Sequence, residues 1–233
     1  MKTKIVLSFC SLILLTACVF GTDGSRKVTT ETRAVDKFSG VELKSVANVF
    51  ITQGETQEVK IEAEDNLIQY ITSEVKNGEL IIDCKEHVNS HEPINVYITA
   101  KELCLLELSG SGNMITKNEI NCDHLTLRLD GSGEMNISLK SLLLKATLSG
   151  SGNLHLNGTT AESTIRISGS GNVNAQQMKS FTSTVNISGS GNTKVDVNNE
   201  LTVHISGSGN VFYVTEPAKI TTKISGSGEV QKI

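Results

Sequence analysis

The chain has 233 residues and a formal net charge of −4 at pH 7, with 20 glycines, two prolines and no tryptophan. This mildly acidic balance argues against a nucleic-acid-binding protein, because phosphate backbones are bound by clustered lysine and arginine side chains. The length suits one large all-β domain, or a small domain joined to a repeat array.

The first 17 residues are predicted to form a lipoprotein signal peptide. Two lysines precede an apolar stretch over residues 5–15, which is too short to cross a membrane as a stable helix. Cys18 directly follows the small residues Thr16 and Ala17, and this arrangement resembles the lipobox of bacterial lipoproteins. In those proteins the cysteine thiol receives a diacylglycerol group. The alternative is an ordinary signal peptide with an incidental cysteine.

The lipobox resemblance implies a membrane anchor made of acyl chains on Cys18, with palmitate among them. Each buried methylene contributes about 0.8 kcal/mol, so several acyl chains would hold the protein firmly. Val19 stands where an aspartate would favour retention at the inner membrane. We therefore expect an outer-membrane lipoprotein of the cell envelope, and the sequence leaves open whether it faces the periplasm or the outside.

Residues 18–34 are interpreted as the lipidated cysteine and a tether, because residues 19–30 are mostly small and polar. The remaining residues 35–233 are interpreted as one domain, with an irregular part over 35–100 and a repetitive part over 101–233. This division predicts that the folded part is held away from the lipid by a flexible segment.

The irregular part consists mainly of predicted strands. Apolar and polar residues alternate there in short runs, as in half-buried strands, and Asn77-Gly78 marks a turn. One stretch behind Asp65, a candidate N-cap, differs from this pattern. Its apolar residues have helical spacing and predict one short helix; they are Leu67, Ile68, Ile71 and Val75.

The repetitive part contains seven copies of a Ser-Gly-Ser-Gly-Asn motif, with replacements in some copies. The copies start 18 to 21 residues apart, a period typical of one coil of a solenoid. The starts are Ser109, Asp130, Ser149, Ser168, Ser188, Ser206 and Ser225. The predicted fold is all-β, a single-stranded right-handed parallel β-helix or β-solenoid with about 19–20 residues per coil.

Alternation on both sides of the motif predicts which side chains point inward. Leu or Ile directly precedes every copy. Mostly apolar residues stand two positions before that Leu or Ile, and again directly after the motif. Continued through the motif, the alternation puts both glycines inward at a narrow corner and the other residues outward. Alternatively, one glycine supplies a positive φ angle at the bend. The outward residues form a candidate polar ladder that includes Ser111, Asn113, Ser151, Asn153, Ser170, Asn172, Ser190, Asn192, Ser208 and Asn210.

Three segments, taken together with the repeated Gly-Ser-Gly-Asn, form a sequence pattern that is specific enough to indicate a family. They are Phe38-Ser39-Gly40-Val41, Val46-Ala47-Asn48-Val49-Phe50-Ile51-Thr52-Gln53-Gly54 and Asn77-Gly78-Glu79-Leu80. With them, residues 35–233 resemble the family called "putative auto-transporter adhesin, head GIN domain". The resemblance implies a β-helix or related β-solenoid in an exported and often lipid-anchored protein, and the family name suggests adhesion.

No residue pattern predicts a catalytic site. Glycoside hydrolases need paired carboxylates, whereas the outward rows of the repeats are mostly Ser, Thr, Asn and Lys. The densest titratable group lies in a predicted loop, where its histidine spacing does not suit a metal; it comprises Glu86, His87, His91 and Glu92. Three more histidines, His124, His155 and His204, are isolated on predicted outward positions. We predict a protein that is not an enzyme and has no metal or other cofactor.

Cysteine usage predicts no disulfide. Cys84, Cys104 and Cys122 remain besides Cys18. If Cys18 carries the lipid, three thiols are left, and an odd number cannot all form disulfides. Cys104 occupies an apolar position of the repeat, so we expect it to be a small buried residue.

The favoured function is a lipid-anchored adhesion or interaction scaffold of the cell envelope, with an unknown protein or glycan as ligand. The alternative is a polysaccharide-binding β-helix, with or without weak lyase or hydrolase activity. The polar ladder either binds a polymer or satisfies its own hydrogen bonds, and we prefer the second interpretation. The last coil has no capping segment, which suggests self-association or pairing with another envelope protein at its edge.

Overall fold

Residues 21–233 are described by the computed structural model, so the predicted signal peptide and Cys18 lie outside the described part of the chain. Strands and one short 3-10 turn make up the regular structure. In chain order the strands are β1 (Thr22–Asp23), β2 (Val28–Arg33), β3 (Gly40–Leu43), β4 (Asn48–Gln53), β5 (Glu58–Glu64), β6 (Ile71–Lys76), β7 (Glu79–Cys84), β8 (Val88–Asn89), β9 (Asn95–Ala100), β10 (Leu105–Leu108), β11 (Asn113–Thr116), β12 (Ile120–Gly131), β13 (Glu134–Gly150), β14 (Asn153–Gly169), β15 (Asn172–Gly189), β16 (Thr193–Gly207), β17 (Val211–Tyr213), β18 (Lys219–Gly226) and β19 (Val230–Lys232).

The long strands stack parallel and in register, one coil upon the next. β13 pairs with β14 over almost its whole length, from Glu134 opposite Asn153 to Gly150 opposite Gly169. β12, β15, β16 and β18 continue the stack in the same sense. Each of β13, β14 and β15 begins at the last residue of one motif copy and ends at the first glycine of the next. The predicted β-solenoid is confirmed.

The part predicted to be irregular adds two layers to the same stack, in an order that differs from the chain order. β3 and β4 pair in parallel with β10 and β11. On their other side they pair with β7 and β9, which come later in the chain. β6 then adds to β7, β5 to β9 and β2 to β5, all antiparallel. These antiparallel strands close this end of the stack.

The predicted short helix behind Asp65 is wrong. Only a 3-10 turn, Ile68–Tyr70, forms there, and the chain continues as β6. β6 and β7 make a hairpin in which Lys76 pairs with Glu79. Asn77 and Gly78 between them have φ angles of 53° and 81°, as the two central residues of a type I′ hairpin turn require. The turn and the cross-strand pairing outweigh the helical spacing of the apolar residues.

The interpretation of residues 18–34 as a tether is wrong for the described residues among them. β1 pairs with β8 in parallel, and β2 pairs with β5 from Val28 opposite Glu64 to Arg33 opposite Val59. β2 is exposed apart from Arg33, which explains its polar composition: an outermost strand needs no apolar face. Residues 21–34 therefore belong to the folded domain.

The predicted inward rows form one continuous core in the first six repeat coils. The residues directly before and directly after the motif are at most 2% exposed in these copies. In the seventh copy Thr222 and Ile224 are exposed, because β18 packs against β16 and no further strand covers it within residues 21–233. Burial of apolar side chains from neighbouring coils against each other stabilises the stack.

The two glycines of the motif have different roles. The first has a φ angle between 115° and 139° in the last six copies, from Gly131 to Gly226, a conformation that favours glycine. The second is buried in the first six copies, and a Cβ on Gly171, for example, would overlap the carbonyl oxygen of Gly152 in the preceding coil. The expectation that both glycines point inward is wrong for the first glycine, which lies half-exposed at the bend. The alternative, a positive φ at the bend, is confirmed.

Glu64 joins the N-terminal segment to the closed end of the stack. Its fully buried carboxylate accepts hydrogen bonds from the backbone N–H groups of Arg26 (2.6 Å) and His91 (2.9 Å) and from the Ser90 hydroxyl (2.8 Å). Burial raises the pKa of Glu64, but the hydrogen bonds from Ser90, His91 and Arg26 outweigh it and hold the pKa below its ordinary value.

This arrangement predicts a pH dependence of stability. A carboxyl group with a lowered pKa in the folded state stabilises fully above its ordinary value of 4.5, and its contribution is lost as the pH falls through the folded-state value. We expect Glu64→Gln to lower the denaturation midpoint at pH 7 and to flatten the acid loss of stability below about pH 5. Urea unfolding across this pH range measures both. An acid loss of the same size in the variant would contradict the role given to Glu64.

Candidate functional site

The asparagines of the predicted polar ladder take part in side-chain hydrogen bonds along the stack. Near the closed end, the Asn113 side-chain amide donates to Asn48 Oδ1 (2.9 Å), and Asn48 donates to Asn95 Oδ1 (3.0 Å). Asn95 in turn donates to the Glu62 carboxylate (2.9 Å). The series thus ends on a negatively charged acceptor, which is the favourable direction for a run of aligned amide dipoles.

A second asparagine run crosses the middle coils. Asn210 donates to Asn192 Oδ1 (2.9 Å), Asn192 to Asn172 Oδ1 (3.2 Å) and Asn172 to Asn153 Oδ1 (3.3 Å). The same oxygens of Asn172 and Asn192 accept the backbone N–H of the following coil. Glu134, in register between the two runs, interrupts the ladder. Because their side-chain groups bond along the stack, these asparagines fasten the coils together.

The ladder serines differ from the asparagines. Ser111, Ser151, Ser170, Ser190 and Ser208 are exposed at the corner. Within residues 21–233 their hydroxyls form no side-chain hydrogen bond, whereas the Ser170 and Gly171 N–H groups both donate to the Gly150 carbonyl (2.9 and 3.0 Å). The backbone of the motif is thus held in place while the serine hydroxyls point to solvent. Hydroxyls in this setting are available to bond a ligand.

A groove runs along the face that leads into the motif, which we call the pre-motif face. Its volume is about 560 Å³. Thr147, Arg166, Asn186, His204 and Lys223 line it, together with the first serines of the motif copies at Ser168, Ser188, Ser206 and Ser225. No carboxylate is among the residues that line it. The exposed lining is mostly apolar, with Ile167, Ile187 and Ile205 among the lining residues, and the charged side chains around it are cationic, on a chain whose formal net charge is −4.

Strand register places the cationic side chains of the groove in one column. On neighbouring strands, Arg166 lies in register with Asn186, Asn186 with His204, and His204 with Lys223. Arg166, His204 and Lys223 are exposed and take part in no ion pair within residues 21–233. Toward the closed end the positive charge of the column is compensated, because Arg128 forms an ion pair with Glu107 at 3.1 Å. The uncompensated positive charge is thus confined to the coils nearer β18.

The aromatic pair Phe50–Tyr97 is not a sugar platform. The two rings stack with centroids 5.2 Å apart and planes at 20°. The Lys60 ammonium lies 4.8 Å from the Tyr97 centroid, and the Lys117 ammonium lies 5.0 Å from the Phe50 centroid. Each ring face is therefore covered by the other ring or by a cation, and a pyranose has no free ring face to stack on.

The loop that contains Glu86, His87, His91 and Glu92 forms backbone hydrogen bonds that hold the N-terminal segment against the fold. The His87 carbonyl accepts the Thr22 N–H (3.0 Å), and the His91 N–H donates to Glu64. Within residues 21–233, no three His, Cys, Asp or Glu side chains converge to hold a metal ion. A depression of about 670 Å³ lies nearby, but the Arg33 guanidinium in it is engaged by the Ile68 and Ile71 carbonyls.

The three thiols in the described part of the chain are unpaired. The expectation that Cys104 is buried is wrong, because the adjacent Leu103 takes the inward position and is 1% exposed. Cys122 is half-buried, and burial, with smaller effects of Cys104 and Asp123, raises the pKa of its thiol to about 11. Cys122 is thus a protonated, poorly nucleophilic thiol at neutral pH.

The chain matches the family described as "Putative auto-transporter adhesin, head GIN domain" over residues 37–217. It belongs to this family. Membership in an adhesin family indicates an extracellular or envelope-associated protein and a role other than catalysis. No protein of curated function matches the chain. Within residues 21–233, the structure contains no helix suited to crossing a membrane.

Solved structures share the fold of this head GIN domain protein. A putative adhesin from Bacteroides fragilis has a TM-score of 0.87 and 23% identity, over 91% of this chain and 100% of the other. A putative lipid binding protein from Parabacteroides distasonis has a TM-score of 0.76 and 21% identity, over 92% and 100%. A putative adhesin from Parabacteroides merdae has a TM-score of 0.75 and 22% identity, over 91% and 99%.

The contrast between bonded asparagines and unbonded serines predicts opposite mutational effects. Asn192→Ala removes hydrogen bonds to two coils, and we expect it to lower the free energy of unfolding by about 1–3 kcal/mol. The neighbouring Ser190→Ala removes an exposed hydroxyl and should change it by less than about 0.5 kcal/mol. Denaturant unfolding of both variants measures the difference. Equal effects would show that the asparagines do not fasten the stack.

Proposed function

We propose that this protein is a non-enzymatic, lipid-anchored scaffold of the cell envelope that mediates adhesion through the pre-motif face. The observation that carries the proposal is the groove, in which the unpaired cations Arg166 and Lys223 and a row of motif hydroxyls lie along a stack of hydrogen-bonded coils. A surface of this kind offers several weak contacts in a row. Such contacts suit the binding of an extended polymer or a second cell surface.

The lining of the groove supports a binding role over hydrolysis. Glycosidases place two carboxyl groups about 5–10 Å apart across the scissile bond. The residues that line the groove are hydroxyl, amide and cationic side chains around apolar ones. The nearest acidic side chain of β16, Glu200, is engaged by Lys219 at 2.6 Å. Nothing in this set would act as a paired general acid and base.

The lipid anchor is proposed from the sequence around Cys18. Acyl chains on this cysteine would attach the protein to the outer membrane, next to the closed end of the stack where residue 21 enters the fold. The coils with the groove would then lie at the end remote from the attachment point. This orientation would present the cationic column away from the lipid surface.

The anchor is tested by membrane fractionation of cells that produce the full chain. We expect wild-type protein in the membrane fraction, labelled by a fatty-acid analogue, and Cys18→Ser in the soluble fraction. Cys104→Ser, which removes an exposed thiol of the folded domain, is the matched control and should stay with the membrane. An unlabelled wild-type protein, or a membrane-bound and labelled Cys18→Ser, would contradict the anchor. Protease treatment of intact cells then reports which side of the membrane the protein faces.

Adhesion without catalysis is tested with the exported, soluble Cys18→Ser chain. It is applied to arrays of glycans and of extracellular proteins, and the same preparations are screened for polysaccharide cleavage. Specific retention without turnover is the expected result. Turnover of any polysaccharide, or no retention on either array, would overturn the proposed function.

A further inference from the structure

We propose that the groove on the pre-motif face binds an anionic polysaccharide that lies along the solenoid axis. Arg166 and Lys223 would contact its acidic groups, and His204 and the motif serines Ser168, Ser188 and Ser206 would bond its hydroxyls. This inference rests on the proposed adhesive function and names the ligand class of that site. It follows from charge, spacing and the chemistry of the lining.

Charge complementarity selects an acidic ligand. Arg166 and Lys223 keep a positive charge without an ionic partner within residues 21–233, on a protein with a negative overall charge. An unpaired guanidinium favours a carboxylate or sulfate, which it contacts through two parallel hydrogen bonds. Toward the closed end Arg128 is already paired with Glu107 at 3.1 Å, and the acidic Asp130 lies in register with Ser149. An anionic polymer would therefore make its contacts in the coils from Thr147 to Lys223.

The spacing of the column selects a polymer with widely separated charges. Adjacent parallel strands lie about 4.8 Å apart, so Arg166 and Lys223, three coils apart, are separated by about 14 Å along the axis. Asn186 and His204 between them carry no formal charge at pH 7. An extended disaccharide has nearly the length of two coil spacings. A polysaccharide with one acidic group per disaccharide would therefore present about two acidic groups over this length, which matches the two fixed cations in number.

The same features disfavour nucleic acid. Each strand of a nucleic acid carries a charge about every 3.4 Å, which is far denser than the cations of the column. Single strands are also held by aromatic side chains that stack on the bases. No aromatic residue lines the groove. A short acidic peptide remains a competitor of different chemistry, and the experiment includes one.

The test compares polymers that differ in charge density, with the soluble Cys18→Ser chain as background. The probes are hyaluronan, with one carboxylate per disaccharide; polygalacturonate, with one per sugar; neutral dextran; poly-glutamate; and single-stranded DNA. We expect hyaluronan to bind most tightly at low salt, dextran not at all, and binding to weaken with rising ionic strength. The double variant Arg166→Gln/Lys223→Gln should weaken hyaluronan binding by about tenfold or more.

Lys194→Gln is the matched control, because Lys194 is an exposed lysine on the face that follows the motif and lies outside the groove. It should change the affinity by less than about twofold. Unchanged melting temperatures of both variants would exclude unfolding as the cause.

Several outcomes would overturn the inference without touching the proposed function. Array binding confined to neutral glycans or proteins would leave an adhesin with another ligand. Binding of poly-glutamate or DNA as tight as that of hyaluronan would show that charge alone is recognised. A loss in Lys194→Gln equal to that in the double variant would place the site elsewhere. Failure of every ligand on the arrays would instead overturn the proposed function itself.

Discussion

The close approach of successive coils at the Ser-Gly-Ser-Gly-Asn corner is the constraint on which the rest of the structure depends. The first glycine adopts a positive φ in the last six copies, and in four of these, from Gly131 to Gly189, its carbonyl accepts two N–H groups of the next coil; for Gly150 these come from Ser170 and Gly171. The second glycine lies where a Cβ would overlap the backbone below it. Because this contact fixes the register of each coil on the last, it aligns the inward apolar rows into one core and the outward residues into straight columns.

Much of this architecture could be predicted from the sequence. The motif period indicated coils, and the alternation around it identified inward residues such as Leu127 and Ile165 that prove fully buried. Features set by long-range pairing could not be predicted. The helical spacing behind Asp65 is overridden by the hairpin of β6 and β7, and β2 is a polar strand because it covers the outermost edge. β3 and β4 lie between β7 and β9 on one side and β10 and β11 on the other, and no local sequence pattern indicates this order.

The candidate site was the harder part to foresee, for a related reason. The conspicuous ladder residues proved to be divided: the asparagines bond along the stack, and the serines remain free. The cationic column was missed, because its members differ in residue type and are separated by 18 to 20 positions, as Arg166, Asn186, His204 and Lys223 are. One signal was available. Aligning the outward position two residues before each motif copy places these side chains in a single column, with the acidic Glu107 at the other end.

The central claim is that the glycines and asparagines of the repeated motif are architectural, and that binding belongs to the neighbouring groove, which the first serines of four motif copies help to line. Its most direct test is the free energy of unfolding of Gly171→Ala beside that of Ser170→Ala, each measured with and without the polymer that the wild type binds. The account predicts a loss of about 1–3 kcal/mol for Gly171→Ala, because the added methyl group has no space, and little change for Ser170→Ala. A Gly171→Ala variant with wild-type stability and abolished binding would contradict it, and would assign the motif itself to the ligand.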